Sequence, residues 1–287
     1  MSNLIQLLTA QPTQDGDGVK IHRLAGRGLH QALNPFLMID EINSDDAADY
    51  IGGFPEHPHR GFETITYMKA GRMRHRDHMG NEGVITAGDV QWMTAGAGVL
   101  HCEMPEQEHG LLHGFQIWLN LPAAEKMKPA AYREIISADI TEKRLHDGGM
   151  VRAIAGSVTV NQTSLRGPLP DSSTHPVLLD VQLTANETVE LSLNTENQVM
   201  VYAYKGATDL IAPRQLGIYA NGKKLTLKAG HSGAELLILS GQPIHEPLVQ
   251  YGPFVMNTTE EIDRAVNDFQ NPQFLSGLIP DRKIPMQ

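Results

Sequence analysis

Two short patterns in this sequence have the makings of a metal centre. His57-Pro-His59 and His101-Cys-Glu103 each carry two ligating side chains one residue apart. In an extended strand, residues i and i+2 point to the same face, so each pair can look into a barrel together. Set on neighbouring strands, the two pairs would gather three imidazoles and one carboxylate around a single point. Three neutral nitrogens and one anionic oxygen suit a divalent first-row metal such as iron, manganese, nickel, copper, cobalt or zinc. Ligation by two such pairs leaves one or two positions open for water, substrate or dioxygen. A lone His-x-His is a weak signal, because the chain has 13 histidines and chance pairs are expected. The second pair, on a segment opened by a Gly-Asp turn and a Gly-rich bend, gives the pattern its force.

The elements that must position these residues read as strands. Short apolar runs recur at Phe36–Ile39, Thr64–Met68, Val90–Met93, Phe115–Leu121, Val177–Leu183, Val199–Tyr204 and Leu236–Leu239. Several end at turn signals such as Lys69-Ala-Gly71, Ala87-Gly-Asp89 and Lys205-Gly206. Many short strands at this spacing predict an all-β sandwich or barrel. Two stretches differ. Ala123–Met127, after Pro122, reads as one or two helical turns and a hinge between halves. Thr258 with Glu261 fits a capping box, followed by an apolar stripe of Ile262, Ala265, Val266 and Phe269, which predicts one amphipathic helix packed on a barrel.

Composition bounds the function. A length of 287 residues predicts two domains. The net charge of -10, from 33 acidic and 23 basic side chains, disfavours nucleic-acid binding, which needs clustered Lys and Arg. Cys102 is the only cysteine, so no intrachain disulfide forms and a reducing compartment is expected. The opening MSNLIQLLTAQPTQDGDG lacks the basic segment and small-residue cleavage pattern of a signal peptide. With no long apolar run of about 18 residues, the expectation is a soluble cytoplasmic protein without membrane contact.

The stretches GGFPEHPHRGFETITY (52–67), GDVQWMTAGAGVLHCEMP (88–105), HGFQIWLNLP (113–122) and EPLVQYGPFVMNT (246–258) closely resemble the pirin family, a bicupin branch of the cupin superfamily. They span essentially the whole chain. The resemblance implies two tandem cupin (jelly-roll-like) barrels, a metal-bearing one over 1–132 and a metal-free one over 133–287, the latter ending in a helical tail that packs back on the first barrel. It implies Fe(2+) held by His57, His59, His101 and Glu103. Most cupins take their carboxylate four residues after the His-x-His pair, where Glu63 stands here; pirins use the later position, Glu103. Thr94-Ala-Gly96 replaces the usual Pro-x-Gly turn of the second cupin motif, which also sets the chain with pirins.

Several other residues have two readings. Arg60 either anchors an anionic or phenolate substrate group or makes a surface or strand-end ion pair, the second being favoured. Alternation puts Gln116 and Trp118 on one face and His113 on the other, without saying which face meets the cavity. Phe54 and Met93 read as core or pocket wall, and His75 and His78 as a solvated strand or loop. Cys102 alternates away from its flanking ligands. Pirin-like proteins imply two functions. One is a quercetin 2,3-dioxygenase, acting on a small aromatic substrate with dioxygen, in which a carboxylate, Glu103 or Glu63, accepts the flavonol hydroxyl proton. The alternative is a metal- or redox-responsive regulator that binds a transcription factor or a metabolic enzyme.

Overall fold

The computed structural model of the chain describes every residue except 1, 27, 170–171, 195, 221, 272–273 and 275–287. It forms two compact all-β units that interleave along the sequence. One comprises the residues up to Thr13, Ile21–Glu41 and Ile135–Ile244; the other comprises Gln14–Lys20, Ile42–Glu134 and the residues from His245 onward. The chain crosses between units at 13/14, 20/21, 41/42, 134/135 and 244/245, so neither unit is a continuous half of the sequence. Strand pairing explains the interleaving. Leu4–Thr9 pairs antiparallel with Gln215–Tyr219 and so completes the sheet of the later unit. Phe254 bridges Arg60, which brings the late segment into the unit of the histidine pairs.

The unit around 135–244 is built on a ten-stranded sheet. Its main path runs Leu4–Thr9, Gln215–Tyr219, Gln198–Thr208, Lys224–Gly241, Val177–Leu183, Met150–Ala155 and Thr141–Arg144. Alternate residues of these strands fill one core, including Val151, Ala153, Leu179, Val181, Val201, Leu236 and Ile238. Each fully buried side chain of this size contributes about 1.5–3 kcal/mol.

The histidine-bearing unit has a four-stranded sheet in the order Phe54–His59, Val99–Pro105, Arg72–Asp77, Glu82–Thr86. A further run of strands, Ala131–Ile135, Val90–Thr94, Phe62–Ala70 and Leu112–Asn120, pairs in that order. Every apolar run singled out above lies in a strand, apart from Leu121, which follows the end of Leu112–Asn120. The predicted helix is Thr259–Gln270, with Thr258 accepting from the Glu261 N–H and the Glu261 side chain accepting from the Thr258 N–H. Its Ile262, Ala265, Val266 and Phe269 pack against Phe254 and Met256. Residues Ala123–Glu125 form a single 3-10 turn. Among the described residues no helix is long and apolar enough to cross a membrane.

Candidate metal centre

The two ligand pairs lie on neighbouring strands. Phe54–His59 runs antiparallel to Val99–Pro105, with His57 directly opposite His101. On the other side of Val99–Pro105, His75 stands opposite Glu103 and Asp77 opposite His101. Cross-strand partners share a face, so His57, His59, His101, Glu103 and His75 all look the same way. Two glycines bracket the first pair. Gly53 (φ 60°) and Gly61 (φ 87°) hold left-handed backbone, and a Cβ on Gly61 would lie 2.0 Å from the Val255 carbonyl oxygen.

The three imidazoles converge. The Nε2 atoms of His57 and His59 are 3.0 Å apart, and ligand atoms of His57, His59 and His101 lie within 4.8 Å of one another. With metal–nitrogen bonds of about 2.1 Å, two imidazole nitrogens at right angles on one ion sit about 3.0 Å apart. His57 Nδ1 lies 2.8 Å from the Pro55 carbonyl oxygen; donation there places the proton on Nδ1 and leaves Nε2 a free lone pair. His101 Nε2 is buried and has no hydrogen-bond partner, a costly state unless something fills it. Burial first, and then the neighbouring imidazole of His57, holds His59 well below the ordinary histidine pKa. Burial, followed by His59, His57 and His75, does the same to His101. Both are therefore neutral near pH 7, the form that ligates metal. The donor set fits a divalent transition-metal ion.

Glu103 shares the face of these histidines but is not one of the three converging groups. Its Oε1 accepts from Thr66 Oγ1 at 3.0 Å and its Oε2 from Gln116 Nε2 at 2.7 Å. Burial raises its pKa, while His57 and the two hydrogen bonds pull it down. Glu63 is elsewhere. On Phe62–Ala70, Thr66 meets Glu103 and Phe62 meets the ring of His59 at 5.0 Å, so the even positions face the histidines. Glu63 is odd and points the other way, accepting from Thr94 Oγ1 at 2.7 Å and pairing with Lys128 Nζ at 3.1 Å. Of the two readings of Glu63, a carboxylate beside the ligands or a satisfied polar strand residue, this one-residue parity favours the second and takes Glu63 away from the proton-accepting role.

Other expectations are settled in the same way. Gln116 and Trp118 face the histidines, Trp118 lying edge-on to His59 at 5.2 Å. Arg60 is buried, not open to a substrate: its Nε donates to the Ala97 carbonyl and its Nη1 pairs with Asp268 at 2.8 Å. His75 is not solvated. It is buried with its Nδ1 3.4 Å from His101 Nδ1, and burial lowers its pKa to about 4. The signal was present, because Arg72-Met-Arg-His-Arg-Asp77 alternates strictly, with the three arginines outside and Met73, His75 and Asp77 inside. Tyr132, against the His75 ring at 4.7 Å, had no such signal. Met93 joins a small core with Ala95 and Val99.

Residues 18–119 match the pirin family, and residues 178–275 match the pirin C-terminal cupin domain. The chain belongs to the pirin family. This pirin is 45% identical over 273 residues to "Putative quercetin 2,3-dioxygenase" of Vibrio cholerae, covering 94% of this chain and 96% of the relative. It is 40% identical over 275 residues to a pirin-like protein of Caulobacter vibrioides, covering 94% and 98%. Among solved structures it resembles a quercetin 2,3-dioxygenase from Acinetobacter baumannii, with a TM-score of 0.87, 34% identity, and coverage of 96% and 98%. The architecture of this pirin is thus two cupin domains, and three histidines of one of them can hold a metal ion.

Proposed function

We propose that this pirin is a metal-dependent dioxygenase that cleaves a flavonol such as quercetin, or a related aromatic or enediol substrate. The observation that carries the reading is the convergence of His57, His59 and His101 beside side chains that still reach solvent. His57, Gln116 and Trp118 are only half-buried, whereas His59 and His101 are buried. A buried ligand set with one open side is what a catalytic metal needs. The relatives named for quercetin 2,3-dioxygenase activity support the substrate class.

In this reading His57, His59 and His101 hold the ion and Glu103 supplies the fourth ligand. The family resemblance favours Fe(2+), with manganese, nickel, copper, cobalt and zinc suited to the same donors. When bound, the ion supplies Lewis acidity and a template on which substrate and dioxygen are oriented. The remaining work belongs to the chain. Phe62 and Trp118, in tilted contact at 4.4 Å beside His59, offer an apolar wall for a flat ring. Thr66 and Gln116 fix the Glu103 carboxylate. Glu103, the carboxylate on the face of the three histidines, is the group placed to take the substrate hydroxyl proton. Glu63, on the opposite face, takes no part.

The test is to load the purified protein with Fe(II) and with each alternative metal, add flavonol, and follow loss of its near-ultraviolet absorbance together with carbon monoxide release. Turnover with at least one metal is expected. Absence of turnover with every metal, at full loading, overturns the proposal.

A further inference from the structure

Each ligating imidazole has a second nitrogen, and what that nitrogen meets decides which end faces the metal. For His57 the partner is the Pro55 carbonyl, 2.8 Å from Nδ1. For His101, among the described residues, no carbonyl or carboxylate is in place. Its Nδ1 meets Nδ1 of His75 at 3.4 Å, at the long end of hydrogen bonding, while its Nε2 is buried without a partner. Of two facing nitrogens, one must carry the proton and the other accept it. If His75 donates, His101 Nδ1 is the acceptor and its proton sits on Nε2, where it blocks ligation. If His101 donates, its Nε2 lone pair is free and the His75 proton sits on Nε2, which is likewise buried without a partner, so either arrangement leaves one buried N–H unpaired and only the second leaves His101 able to ligate.

We propose that His75 is a positioning residue that accepts the Nδ1–H of His101 and so sets the tautomer in which His101 Nε2 is the ligand atom. This inference rests on the metal-centre reading above. His75 itself is outside the converging group. Its ring is fixed by packing: it is 2% exposed and lies against Tyr132, whose hydroxyl donates to Met93 Sδ at 2.8 Å. The other nearby acceptor, Asp77, already accepts from the Met79 N–H, the Asn81 N–H and Asn81 Nδ2, and it also bears on Tyr132. A neutral acceptor is also what the location demands. His75 stands directly opposite Glu103, and a carboxylate at 75 would set two buried anions face to face. An imidazole supplies the lone pair without that charge.

The experiment compares wild type with His75→Phe and His75→Asn, using Co(II) as the probe. Visible d–d absorption reports both affinity and ligand geometry, independently of turnover. His75→Phe keeps an aromatic ring and removes the acceptor; Co(II) affinity should fall about 10–100-fold, with displaced bands. His75→Asn places Oδ1 where Nδ1 stood and should restore most of the affinity and the wild-type spectrum. Because variants at a buried position can misfold, the second measurement uses metal-free wild type labelled with 15N at histidine. Two-bond 1H–15N correlations should show His101 protonated at Nδ1 and bare at Nε2. A proton on His101 Nε2, or a folded His75→Phe protein with unchanged affinity and spectrum, overturns the positioning role. Failure of wild type to take up Co(II) overturns the metal centre instead, and the tautomer measurement still decides the role of His75.

Discussion

The two cupin barrels carry out opposite programmes at equivalent kinds of position. In the later barrel the inward residues of paired strands are apolar: Leu179 lies opposite Ile238 and Val181 opposite Leu236, all within one continuous core. On the other parity Tyr204 donates to Asp180 at 2.6 Å; a polar exception on the inward side is Ser240, a small hydroxyl buried opposite Val177 and Val199. In the earlier barrel the inward residues include His57, His59, His75, His101 and Glu103. The backbone device is the same alternation, and only the side chains differ. An apolar interior stabilises its barrel directly by burial. A histidine interior gives up part of that burial and leaves His101 Nε2 unpartnered, so an ion taken up by the folded state alone would add stability to this barrel and none to the other.

This contrast can be broken at several points. The largest effect is expected from the double change His57→Ala, His59→Ala. Elemental analysis should find metal at background level, with the far-ultraviolet circular dichroism of a folded β protein retained. Metal at wild-type content would show that the histidine interior is not the site. On the apolar side, Leu236→Ala should lower stability to urea by about 2–5 kcal/mol through the cavity it leaves, with metal content unchanged. A matching loss of metal would mean that the two interiors are not independent.

Acid should distinguish the two interiors as well. His59, His101 and His75 have folded pKa values below the ordinary 6.5, His75 at about 4. The unfolded chain therefore binds more protons than the folded one in this window. Their contribution to stability is present above about pH 6.5 and is lost as the pH falls through the folded values, with His75 alone accounting for on the order of 3 kcal/mol. Glu103, whose pKa is raised, acts in the opposite sense and offsets part of this loss. The melting temperature of metal-free protein should fall between pH 6.5 and 4, and a flat profile would contradict the buried neutral imidazoles. A smaller effect is expected from Thr66→Val, which removes a donor to Glu103 and should weaken metal affinity about tenfold in a competition titration. The smallest is Glu63→Gln. Because Glu63 faces away from the histidines, metal affinity should not change, and a marked loss would return Glu63 to the site.

Much of this was legible in local pattern. The spacing of His57 with His59 and of His101 with Glu103 already implied shared faces, and Thr258, Glu261 and the stripe from Ile262 to Phe269 specified a capped amphipathic helix. These signals survive because they depend on neighbours only a few residues away. His75 was also legible in principle, but the arginines at 72, 74 and 76 made a buried strand look like a solvated one. The pattern around Arg60 points to an ion pair at the surface or a strand end; the pair exists, but Arg60 is buried in it, because Asp268 comes from a helix about two hundred residues later.

The sequence by itself determined the strand periodicity, the paired ligands and the helix cap, all consequences of backbone geometry within one element. Only the tertiary structure decided that Glu63 turns away, that Gln116 and Trp118 turn inward, that His75 stands behind His101, and that the first strand completes the later barrel's sheet. Strand pairing is non-local, and a shift of one residue in register moves a side chain to the opposite face. The metal centre opened as two patterns of alternate residues; pairing across the sheet is what makes three of those side chains meet and a fourth histidine stand behind them.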